Sequence, residues 1–111
     1  MMAVAGFGSK LEARVYRALR RAGWEQIDMQ VPILGGRTVP GGQVIDFVLW
    51  PGPIPVFVNG EYWHRNDEVE FLEMAAVQEV YGREPVVIWG GEAQTDEQAL
   101  ATVLRKIGRV V

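Results

Sequence analysis

The chain predicts an α/β domain in which a mixed sheet carries helices on its faces. Two observations lead there. Apolar residues recur at helical spacing in three stretches, and alternate or run unbroken over short lengths in four others, in the order α-β-β-β-α-β-α. The second and third strands are joined by the tight connection WPGPIP, whereas a whole helix separates the third from the fourth. An antiparallel meander therefore comes first, and a crossover helix then returns the chain to a parallel strand.

The first helix is SKLEARVYRALRRAG. Ser9 and Glu12 have capping-box spacing, Leu11, Val15, Ala18, Leu19 and Ala22 form one apolar stripe, and Gly23 is a stop. QIDMQV alternates, placing Ile27, Met29 and Val31 on one face of the first strand. PILGGRTVPGG is rich in Gly and Pro and predicts a turn or an extended hairpin loop. QVIDFVL and PVFVN are the next two strands. A helix from near Asp67 to about Tyr81 follows, with Val69, Leu72, Ala76 and Val80 as its apolar positions. PVVIW is wholly apolar, as expected of a strand buried on both faces. The last helix, TDEQALATVLRKIG, is capped by Thr95 with Gln98 and buries Ala99, Leu100, Val103, Leu104 and Ile107.

A chain of 111 residues predicts a single domain over 1–111, with no internal repeat. No apolar run approaches the roughly 18 residues of a membrane span, and the start MMAVAGFG does not read as a signal peptide. The chain has no cysteine, which excludes a disulfide, a thiol nucleophile and a thiolate zinc site and fits an intracellular (cytoplasmic) protein. The formal net charge is −3, but it is unevenly spread. Between Ser9 and Trp24 five bases, Lys10, Arg14, Arg17, Arg20 and Arg21, stand against Glu12 alone. Between Gly60 and Glu84 seven acids stand against Arg65 and Arg83. A polyanion feels such local fields more than the average, because charges beyond a Debye length of ~8 Å are screened.

Chemistry is expected from three carboxylates. Asp46 interrupts VIDFV in a core strand, on the side of Val44 and Val48 and opposite Ile45, Phe47 and Leu49. An unpaired buried carboxylate is costly, so Asp46 faces solvent, pairs with a base or binds a metal. Glu12 closes its own helix start or serves a site. Glu61 follows the third strand, close to the only histidine, His64. One histidine makes no zinc pair, the Gly-rich segments lack phosphate-loop spacing, and no nucleophile elbow is present. A few carboxylate and carbonyl oxygens gathered at one sheet edge suit Mg²⁺, whose remaining octahedral positions go to water and phosphate.

In this order and spacing, GSKLEARVYRALRRAGW, QVIDFVLW, PVFVNGEYWHR and PVVIWGGE resemble the PD-(D/E)xK nuclease superfamily, and within it the very-short-patch repair endonucleases and related small domains. The similarity runs from about residue 9 to residue 107. It implies a restriction-endonuclease-like α-β-β-β-α-β core, here with an added C-terminal helix. It implies that Asp46 binds the metal, that Val58 offers it a backbone carbonyl, and that Glu12 reaches it through water. It also implies that His64 assists proton transfer, and that Tyr62 and Trp63 pack the site or contact DNA. The superfamily pattern has an acid where this chain has Phe57 and a lysine where it has Asn59; the repair branch lacks both as well. Glu61 is positioned to take over part of that role. The repair branch's extra histidines and its structural zinc are not present, so mismatch specificity does not carry over.

The expected function is a Mg²⁺-dependent DNA endonuclease or nickase, with Mn²⁺ as a substitute ion. Asp46, Glu12, Glu61 and His64 are the expected catalytic groups. Lys10, Arg14, Arg17, Asn59, Tyr62, Trp63 and Arg65 are the expected DNA contacts. Acting alone such a chain nicks one strand; as a homodimer it cuts both. The alternatives are a catalytically degenerate copy of the fold that binds nucleic acid or a protein, and a structural protein with no nucleic-acid role.

Overall fold

The computed structural model describes residues 9–36, 42–60 and 67–110, with side chains of 67–71 left aside. The described residues form an α/β structure of three α-helices and a four-stranded mixed sheet. The elements are α1 (Lys10–Arg21), β1 (Gln26–Ile33), β2 (Gln43–Trp50), β3 (Ile54–Asn59), α2 (Asp67–Tyr81), β4 (Val86–Trp89) and α3 (Asp96–Lys106), with a 3₁₀ turn at Gly90–Glu92. The sheet order is β1-β2-β3-β4. β2 runs antiparallel to both β1 and β3, and β4 parallel to β3, so the expected meander and crossover are both present. Among the described residues no helix is long and apolar enough to cross a membrane.

Local chemistry sets the helix ends. Ser9 Oγ accepts the Glu12 amide at 3.1 Å, satisfying one N–H at the open start of α1. At the other end Trp24 N–H reaches Leu19 O and Gly23 N–H reaches Arg20 O, both at 3.0 Å. That double bond pattern needs a left-handed residue after the helix, and Gly23 supplies it at φ 106°. Thr95 Oγ1 accepts the Gln98 amide at 3.0 Å and starts α3.

Each face of the sheet has its own core. Val15, Ala18 and Leu19 of α1 and Ala99 and Val103 of α3 bury Phe47, Leu49, Val56 and Ile88. Val77 of α2 packs with Ile33, Ile45 and Val48, flanked by Phe57, Trp50 and Tyr81.

Three sequence expectations are corrected. The first concerns alternation in β1 and β2. Ile27 joins the α1–α3 core, but Val31 joins the α2 core; likewise Phe47 and Leu49 go one way and Ile45 the other. Ile45 thus shares a side with Val48 rather than opposing it. In β1 the change falls at Gln30, whose φ of 54° is left-handed in the middle of a strand. Alternation holds only for extended residues, so side chains beyond Gln30 change faces. Gln30 falls opposite Asp46, between the pairs Met29–Phe47 and Val31–Ile45, where the ladder skips one position.

The second concerns α2. Val77 is fully buried, with Tyr81 beside it, while Leu72 and Val80 are 64% and 46% exposed. The helix is turned so that Glu73, Met74 and Val77 face inward. Apolar residues on two sides of α2 made its spacing ambiguous. The third concerns β4, which is an edge strand with only Ile88 fully buried. Its outer side is occupied by Lys106, whose Nζ donates to Val87 O at 2.8 Å. A lysine there blocks pairing with a further strand.

Candidate active site

At the end of the sheet where β2 begins and β3 and β4 finish, a cleft of about 640 Å³ opens between α1, α2 and the strands. Its lining includes Glu12, Asp46, Val58, Asn59, Glu73 and Trp89. Three of the expected metal-site groups, Asp46, Val58 and Glu12, therefore meet in one place.

Asp46 is only 8% exposed. The paired residues of β2 and β3 run from Leu49–Ile54 to Phe47–Val56 and stop there. Just beyond, Val58 N–H donates to Asp46 Oδ2 at 2.7 Å, so a side chain enters the fork where the backbone ladder ends. A strand residue directs its N–H and C=O to the same edge. The Val58 carbonyl consequently opens toward the fork that Asp46 fills.

Glu12 arrives from the first turn of α1, half-buried. Gln30 Nε2 donates to its Oε1 at 3.4 Å. The cap on the helix comes from Ser9, and the Glu12 carboxylate is turned toward the sheet. Capping spacing and a place in the cleft thus coexist. Gln30, the left-handed residue opposite Asp46, is a bridge between the two acids' positions that side-chain alternation gave no means of finding.

Glu73 is an addition to the expected set. Its carbonyl accepts Gln43 Nε2 at 2.9 Å, which ties α2 to the start of β2 and holds this turn of the helix at the cleft. The available signal was its spacing, four residues before the buried Val77 and eight before Tyr81. Trp89 was read only as the end of an apolar strand. Its amide donates to Glu92 Oε1 at 3.0 Å. Lys106 and Arg105 hold that carboxylate at 2.6 and 3.2 Å. Burial alone would raise the Glu92 pKa. The Lys106 hydrogen bond, the Trp89 amide and the two positive charges outweigh it and hold the carboxyl below its ordinary range.

The bases of α1 do not meet the cleft. Arg14 Nη1 donates to Ala93 O at 2.8 Å, and Arg17 pairs with Asp96 at 3.1 Å. Both tie α1 to the segment entering α3. Lys10 is exposed beside the helix cap. Among the described residues the cleft lining holds three acids and no base. Glu61, Tyr62, Trp63, His64 and Arg65 lie outside the described residues.

The donor set suits a hard cation: carboxylate and carbonyl oxygens, with amide oxygens of Asn59 and Gln43 nearby. Among the described residues no three His, Cys, Asp or Glu side chains gather closely enough to cage an ion. Mg²⁺ needs no such cage, because it keeps several waters and takes one or two carboxylates. Comparison with known protein families, curated proteins and solved structures finds no match for this chain.

Proposed function

We propose that the chain is a restriction-endonuclease-like, Mg²⁺-dependent DNA endonuclease or nickase. One observation carries the reading: Asp46, buried at the β2–β3 fork, shares its cleft with Glu12 and with Val58. Asp46 and the Val58 carbonyl would hold the ion, with Glu12 reaching it through water. A bound Mg²⁺ acidifies water and offsets the charge that grows on phosphate during hydrolysis.

The chain's own groups do the rest. Val58 N–H fixes the orientation of the Asp46 carboxylate. Gln30 steadies Glu12 against the strand. His64 is the proposed proton carrier, since imidazole is the side chain that ordinarily exchanges protons near neutral pH, and Glu61 and Arg65 are the further proposed site residues. A cleft lined with acids repels phosphate until a cation enters, so DNA binding there is coupled to the ion.

A second reading, a degenerate module that binds DNA without cutting it, is favoured by Phe57 and Asn59, which put neither acid nor lysine at the end of β3. The test is plasmid nicking with Mg²⁺ or Mn²⁺, comparing the native chain with Asp46→Asn. The nuclease reading predicts nicked circles that require metal and vanish in the variant. Metal-independent binding without nicking supports the second reading.

A further inference from the structure

The cleft is larger and more apolar at one end than an ion site requires. On its α2 face the sheet is covered by Val77 over Ile33, Ile45 and Val48. Further along the same face, Phe57, Val87 and Trp89 are only half-buried and line the cleft. Phe57 pairs with Val87, and Asn59 with Trp89, so these side chains form a continuous shelf across β3 and β4. Met74 of α2 walls one side. The shelf begins where Asp46 and Glu12 end.

Resting on the phosphodiesterase reading above, we propose that the cleft takes an unpaired nucleotide, so that the substrate is single-stranded DNA or a duplex with a displaced base. The base lies on the Phe57–Val87–Trp89 shelf, and its phosphate is at the Asp46–Glu12 end. Three observations favour this over an intact duplex. A volume of about 640 Å³ falls in the range of cavities that enclose small molecules. Among the described residues the lining offers no lysine or arginine, the groups that contact phosphate and on which duplex affinity chiefly depends. An aromatic shelf rewards the face of a base, which a paired and stacked base does not present. The shelf is also held in place. Glu92 grips the Trp89 amide and is itself held by Lys106, which reaches Val87 O as well. Asn59 supplies an amide at the shelf's edge, suited to the hydrogen-bonding rim of a base.

The experiment compares one labelled sequence as a single strand, as a full duplex and as a duplex with a three-nucleotide bulge. Cleavage is followed in Mg²⁺, and binding by fluorescence anisotropy in Ca²⁺. The expected result is a preference for the single strand and the bulge over the duplex. Trp89→Ala lowers it by about 5- to 150-fold, the range for loss of one aromatic stack, and Trp89→Phe retains most of it. Circular dichroism checks folding. If Trp89→Ala does not fold, Met74→Ala reads the same loss from the opposite wall. Equal treatment of single strand and duplex, or a preference untouched in Trp89→Ala and Met74→Ala, overturns the inference. Absence of cleavage on every substrate overturns the phosphodiesterase reading instead; a Trp89-dependent preference in binding alone still supports the unpaired-base site.

Discussion

Asp46 has a structural role in the sheet and a proposed role in the chemistry. A carboxylate 8% exposed is tolerated because Val58 N–H meets it at 2.7 Å. Its structural and proposed catalytic roles separate cleanly by substitution. Asp46→Ala leaves the Val58 amide without its acceptor and is expected to cost about 1–3 kcal/mol in urea denaturation. Asp46→Asn keeps an oxygen for that amide, so it loses less stability while losing metal-dependent nicking. Asp46 was legible in the sequence because it breaks a pattern, an acid in an apolar strand; Glu12 fits a capping box, and only the family resemblance pointed to a second role for it. Gln30 broke no pattern. Its left-handed φ is a backbone fact, and neither its chemistry nor its spacing announces it.

At the level of elements, caps and stripes made α1 and α3 readable, since each has one apolar face and a polar start that bonds its own backbone. α2 has apolar residues around much of its circumference, and its orientation is decided by what it packs against. The consequence is measurable. Val77→Ala, from a fully buried position, is expected to cost about 1.5–3 kcal/mol, whereas Leu72→Ala, 64% exposed, stays within about 0.5 kcal/mol. Equal losses in urea midpoint would mean the helix is turned otherwise. β4 was read as buried on both faces from its unbroken apolar run, but its four residues form an edge and only Ile88 is fully buried. The clamp on it was not legible, because Glu92, Arg105 and Lys106 meet only after α3 folds back. That clamp is sensitive to acid. Folding lowers the Glu92 pKa, so its stabilisation is present above the ordinary carboxyl value of 4.5 and fades as pH falls through the lower folded value. Thermal melts should therefore show Glu92→Gln well below the native chain at pH 7, with the gap closing toward pH 3.

Across the whole molecule, charge is arranged differently from what the linear sequence suggests. The bases of α1 looked like a phosphate-binding face; Arg14 bonds Ala93 O, and Arg17 makes an exposed pair with Asp96, both on the α3 side rather than at the cleft. Side-chain reach cannot be read from charge counts, since a helix shows its bases on every side and packing decides which remain available. Acids converge instead on the cleft, from α1, β2 and α2. That convergence was partly legible, because the meander and crossover bring the start of β2 and the ends of β3 and β4 to the same rim. The contribution from α2 was not, because it depends on the helix's rotation. An acidic rim of this kind makes sense if a divalent ion completes it, and ion binding is the property on which the account stands. Titration of Mn²⁺ by electron paramagnetic resonance reads it without any DNA. The native chain is expected to take up an ion that Asp46→Asn does not hold and that Glu12→Gln holds about 10- to 100-fold more weakly. Undiminished Mn²⁺ uptake by a folded Asp46→Asn protein would contradict it.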